Sequence, residues 1–183
     1  MLSRALRPNL YRSLIWQLTG GDIEKSRRVS EWLEAQSAQR DVFELREGIP
    51  DVLEGIRGRG LRLGLAANQW ASVIDKLAVR GVVGYFESRA VSGIYGYRKP
   101  DVRLFLRACE DLGVDPTECI MVGDRIDNDV VPAKMLGMRT ILFRTGRHRE
   151  QEPRTWDERP DFEVYAASEL LPAIDALLAK EGA

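Results

Sequence analysis

The sequence is poor in the side chains from which most catalytic triads and metal centres are built, with one histidine and two cysteines in 183 residues. His148 sits in the polar stretch RHREQEPRTWDERP (147–160) with no nucleophile near it. It supports neither a Ser-His-Asp nor a Cys-His arrangement and reads as a surface residue. Cys109 and Cys119 fall on segments with helix and strand patterns, with no secretion signal ahead of them. They read as two buried thiols rather than as a disulfide or metal framework. Charge of neither sign is in excess: the formal net charge is −1, whereas a surface that tracks nucleic-acid phosphates needs surplus Lys and Arg. No run of about 18 apolar residues occurs, which excludes a membrane-spanning helix. There is no secretory h-region either, and the expected setting is cytoplasmic. Acid is missing from the first 21 residues, which carry Arg4, Arg7 and Arg12 before Asp22. Such a start fits an organelle transit peptide, but an amphipathic helix with a solvated basic face is the expected reading.

What is present describes an ordinary globular chain. Hydrophobic residues make up 44% and charged residues 30%, enough for one good core with at most a small appendage. Residues 1–46 read as helical, with LYRSLIWQL and SRRVSEWLEAQ spacing apolar residues three and four apart and Gly20 and Gly21 breaking the run. A helix follows in IPDVLEGIRGRG, with Pro50 at its start. From there strands alternate with helices: LRLGLAA, ASVIDKLAVRGVVG, YFESRAVS, KPDVRLFLRACEDLG (opened by Pro100, closed by Gly113), CIMVG, DVVPAKMLG, RTILFRTG, FEVYA and SELLPAIDALLAK capped by Ser168. Alternation of this kind means parallel pairing through right-handed crossovers, hence a doubly wound, Rossmann-like α/β sheet. Ligands in such sheets sit beyond the carboxyl ends of the strands, where Asn68 and Asp124 fall.

GDRIDND carries the strongest chemical signal. Asp124 follows an apolar strand at once, and Asp127 and Asp129 come within the next turn. Crowded carboxylates raise one another's pKa unless a cation neutralises them, and hard oxygen ligands with an open side suit Mg²⁺. An acid-rich helix N-terminus stabilised by the macrodipole explains the same residues, and on this stretch alone the two readings stand level. Lys99, in RKPD, is placed to neutralise a phosphoryl group or a buried carboxylate, although in isolation a solvated lysine beside a helix-starting Pro is the commoner explanation.

Three separated motifs in fixed order carry a resemblance. GLRLGLAANQ, SGIYGYRKPDVRLF and IMVGDRIDNDVVPAKMLGMRTILFRTG, followed by RPDFEVYAASELLPAI, closely resemble the haloacid dehalogenase-like (HAD) superfamily, in its phosphatase branch with a helical cap, over residues of about 45 to 178. The resemblance implies a HAD-type core at 47–183, a partial helical cap at 1–46, and a Mg²⁺-dependent phosphomonoesterase site acting on a small phosphorylated molecule. It places the second-motif phosphate contacts at Ala67 and Asn68, the third-motif lysine at Lys99, the metal ligands at Asp124 and Asp129, and an outer partner at Asp127.

Two departures from that pattern stand out. No DxD occurs before residue 45, so the family's nucleophile and acid/base have no counterpart, and the second-motif Ser or Thr is Ala67. The expectation is therefore an inactive chain when alone: either part of an active phosphatase or a non-catalytic binding or regulatory relative. A phosphoacceptor receiver domain shares the fold class but explains neither the helical start nor the KP motif. In the family a strand lies between the counterparts of LRLGLAA and CIMVG. Without it, direct pairing of these two strands is expected, the alternatives being a strand from a second chain or another copy, or a sheet that stays split.

Overall fold

The computed structural model describes residues 10–39 and 44–179, in two compact units, Met1–Phe43 and Glu44–Ala183. Arg4 and Arg7 of the acid-poor start lie outside the described residues. In the first unit, α1 (Leu10–Leu18) and α2 (Ile23–Gln39) form the expected helical segment. They are separated where Gly20 and Gly21 take φ values of 66° and 78°, a left-handed region that glycine enters without a Cβ clash. Thr19 Oγ1 donates to the Ile15 carbonyl at 2.8 Å and meets Ser26 Oγ at 2.6 Å, which ties the turn to both helices.

The second unit alternates as its pattern predicts. Its strands are β1 (Leu63–Ala67), β2 (Phe86–Val91), β3 (Ile120–Gly123), β4 (Arg139–Phe143) and β5 (Phe162–Val164). Around them run α3 (Ile49–Gly58), α4 (Val73–Val79), α5 (Ser92–Tyr95), α6 (Arg103–Leu112), α7 (Val131–Met135) and α8 (Leu170–Ala179). Every strand pairing is parallel. Because successive strand side chains point to opposite faces, Leu63, Ile120 and Ile141 join Val52, Ile56, Ile174 and Leu177 of α3 and α8 in one apolar cluster. Met121 turns the other way, toward α6. Helices thus cover both faces, the doubly wound arrangement.

The direct pairing of LRLGLAA with CIMVG does not occur. The ladder is split into a β1–β2 sheet and a β3–β4–β5 sheet. Burial follows the split: Ala90, Val91 and Ile141 in the flanking strands are 0% exposed, while Val122 of β3 is 37% exposed. In an unbroken parallel sheet the innermost strands would be the most buried. The two sheets are instead bridged by α6. Its Leu104 and Ala108 pack on Ala90 of β2, and its next positions, Phe105 and Cys109, pack with Ala133, Met138 and Met121 on the β3 side. Side-chain packing on α6 therefore links the two sheets where no backbone ladder does.

Several boundaries also move. Pro100 does not open α6, which starts at Arg103 after a cis Lys99–Pro100 bond. Ser168 lies inside a 3-10 turn (Ala167–Glu169) ahead of α8 rather than at its N-cap. The helix expected over DVVPAKMLG is entered through a π-helical turn that starts earlier, Ile126–Val130, and its α-helical part is only the short α7. The polar loop contains 3-10 turns at Gly146–His148 and Trp156–Glu158. Gly113 closes α6 as expected, with φ 65°.

Candidate functional site

The carboxyl ends of β1 and β3 are joined by polar bonds where they share no ladder. Asn68, one residue beyond β1, forms a two-way clasp with the main chain of Lys99. Its Nδ2 donates to the Lys99 carbonyl at 2.9 Å, and the Lys99 N–H donates to Asn68 Oδ1 at 2.7 Å. Lys99 Nζ then reaches Asp129 Oδ1 at 2.5 Å, with the two side chains 13% and 3% exposed. Asp129 Oδ2 accepts the N–H groups of Asp124 and Arg125, each at 3.1 Å. The line Asn68–Lys99–Asp129–Asp124 thus runs from one sheet to the other. Asp129 Oδ1 is buried and takes no well-aligned hydrogen bond, so the Lys99 ammonium is what neutralises it.

The three aspartates of GDRIDND have three different roles. Asp129 is turned inward by the π-helical Ile126–Val130 segment and lies directly against Gly123, where any Cβ would collide with its carboxyl group. Asp127 points away. It pairs with Arg125, whose Nη2 and Nε lie 2.5 and 3.1 Å from its oxygens, and Gln151 Nε2 donates to it at 3.2 Å. The Arg125 guanidinium holds the Asp127 carboxyl below the usual carboxylate range, against the opposing effect of desolvation. Asp124 remains on the wall of the cleft. Among the described residues no three His, Cys, Asp or Glu side chains converge as a metal cage.

This cleft encloses about 550 Å³ and is lined by every predicted site residue except Asp127: Ala67, Asn68, Lys99, Asp124 and Asp129. It also collects residues that the sequence pattern does not single out. Arg46, Arg98, Asn128 and the Gly146–His148 turn reach the same wall. His148, read above as a surface residue, is half-buried there. Arg98 carried a signal in its adjacency to Lys99. Arg46 and His148 carried none, because only the tertiary fold brings the segment before α3 and the loop after β4 to the ends of β1 and β3.

A parallel α/β unit with a polar cleft at the strand ends, here holding a lysine and paired aspartates, is the class of fold that binds its ligands at this edge of the sheet. Residues 96–170 match the HAD-hydrolase-like family model. The chain is 37% identical over 134 residues to a glyceraldehyde 3-phosphate phosphatase of Methanopyrus kandleri, covering 70% of this chain and 55% of that protein. It is 32% identical over 159 residues to a phosphoserine phosphatase of Thermus thermophilus, covering 86% of this chain and 61% of that one. A predicted phosphatase from Clostridium acetobutylicum superposes with a TM-score of 0.73 at 19% identity, covering 91% of this chain and 77% of the other. The chain belongs to the haloacid dehalogenase-like superfamily. It spans about half the length of the curated relatives it matches, 55% and 53% for two glyceraldehyde 3-phosphate phosphatases.

Proposed function

We propose that this chain forms the phosphate-holding part of a Mg²⁺-dependent phosphomonoester hydrolase and, acting alone, binds a small phosphorylated molecule without hydrolysing it. The observation that carries this reading is the Lys99–Asp129 pair, held between the two strand ends on the wall of an open cleft. Lys99 supplies the cation for a phosphoryl group, with Asn68 fixing its main chain. Ala67 lines the same cleft without a hydroxyl, which forgoes a hydrogen bond to a charged oxygen, of the class worth about 1.5–3 kcal/mol.

Asp124, with Asp129 behind it, would hold Mg²⁺, an ion that ordinarily takes one or two protein carboxylates and keeps several waters. When bound, the ion would neutralise phosphoryl oxygens. Asp129 is already neutralised by Lys99, so binding by this chain is expected in the millimolar class. Hydrolysis through a covalent intermediate needs a further carboxylate nucleophile. The two carboxylates that line the cleft already have the roles described. The same reading leaves a place between β1 and β3 for a strand from a second chain or another copy, and residues 1–46 serve as a partial cap. A cytoplasmic setting belongs to the proposal. No described helix is long and apolar enough to cross a membrane. A second reading, a purely binding or regulatory relative, draws its support from Ala67 and differs in having no catalytic assembly at all.

The experiment is titration of the purified chain with inorganic phosphate, with and without Mg²⁺, alongside turnover of an aryl phosphate. Phosphate binding that disappears in Lys99→Ala, with no turnover above background, is expected. Turnover abolished in both Lys99→Ala and Asp124→Asn would overturn the inactive assignment, and failure to bind phosphate would overturn the site itself.

A further inference from the structure

Away from the cleft, the two cysteines of the chain meet. Cys109 of α6 and Cys119, just before β3, place their sulfurs 3.8 Å apart. They are not equivalent. Cys109 is 5% exposed and packs among Phe105, Ala133 and Met138. Cys119 is only half-buried, with its sulfur also 3.5 Å from the Asp115 carbonyl. We propose that Cys119 and Cys109 form a thiol–disulfide exchange site for low-molecular-weight disulfides of the glutathione class, with Cys119 the attacking thiol and Cys109 the resolving one.

The asymmetry of the pair suits these roles. The hydrogen bond shared with Cys109 holds Cys119 below the usual thiol range. The same bond, and then burial, pushes Cys109 up. The thiolate is the nucleophile in such exchanges, so the accessible sulfur is also the reactive one. Cys119 thiolate attacks one sulfur of the small disulfide. The S–S bond breaks, and the departing thiolate takes up a proton equivalent to the one Cys119 lost. Cys109 then gives up its proton and attacks the Cys119 sulfur of the mixed disulfide. The second small thiolate leaves and is protonated. The balance is two protein thiols and one small disulfide converted to one protein disulfide and two small thiols. A disulfide needs its sulfurs about 2.05 Å apart, so side-chain rotation must close a gap of roughly 1.8 Å from the contact already present. The new bond would tie α6, which follows Lys99, to β3, which leads to Asp124.

The test exposes the folded chain to oxidised glutathione and follows intact mass and thiol count. Wild type should lose both thiols and end without a glutathione adduct. Cys109→Ala should stop at a single adduct on Cys119, and Cys119→Ser should stay unmodified while folded. Thiols in wild type that remain free until the chain is denatured would overturn the proposal. So would a wild type that stops at the mixed disulfide, or a folded Cys119→Ser that reacts as fast as wild type. The wild-type measurements decide the matter even if either variant fails to fold.

Discussion

The β1–β2 sheet and the β3–β4–β5 sheet reach the same cleft by different means. The first ends in small, uncharged residues, Ala66, Ala67 and Asn68, and contributes a side-chain amide that grips a main chain. The second ends in a glycine and a π-helical turn that bury a full carboxylate, Asp129. The lysine that neutralises it stands on neither sheet but on the connection between α5 and α6. One half therefore positions and the other carries charge. The two are coupled through α6 and one connecting segment, without a shared row of backbone bonds.

Removing the charge from the second half should have the largest effect. Asp129→Ala would leave Lys99 buried without its partner and two amides uncapped, and a loss of about 3–5 kcal/mol is expected from denaturant unfolding, as for other broken buried pairs. A loss below about 1 kcal/mol would mean that the two halves do not depend on this link. Next comes the helix they share. Leu104, 0% exposed and facing β2, should cost about 2–5 kcal/mol when cut to Ala. Unfolding should remain a single transition, and two separated transitions would break the view that α6 binds both sheets into one unit.

The positioning half is expected to matter less. Asn68→Ala removes two hydrogen bonds to the Lys99 main chain and should cost about 1–3 kcal/mol. It should also weaken phosphate binding, which calorimetry would read. Smallest is the outward pair. Asp127 titrates below its ordinary value because of Arg125, so its contribution is present above about pH 4 and is lost as pH falls through the lowered folded value. With side chains 34% and 44% exposed, solvent screening limits this to less than about 1 kcal/mol. Asp127→Asn should remove that acid-side slope in pH-dependent unfolding and leave stability at neutral pH nearly unchanged.

The order of helices and strands was readable because each segment states its own period. Val52 and Ile56 lie on one helical face, and the apolar runs of β3 and β4 are short and bounded by glycine. The strand ends placed Asn68 and Asp124, whereas Lys99, on the connection into α6, and Asp129 were assigned to the same site only through the family resemblance; all four line one cleft. The split sheet was not readable, since ladder partners are chosen by packing between segments distant in the chain. Nor could spacing alone tell Asp127 from Asp129. Both follow Gly123 in one short acidic run, and only the π-helical turn sends one inward to Lys99 and the other outward to Arg125. His148 shows the same limit from the other side, since a polar loop has no period from which its destination could be read.

Gly123 gives the unit a distinctive tolerance profile. Its lack of a side chain is imposed by a carboxylate pressed against it, and φ plays no part, whereas Gly84 has ordinary φ and open space where a Cβ would go. In a saturation library selected for folded protein, position 123 should return glycine alone. Position 84 should accept alanine and most polar residues. A population of surviving sequences would thus reveal the depth of Asp129 in the fold without any view of the coordinates.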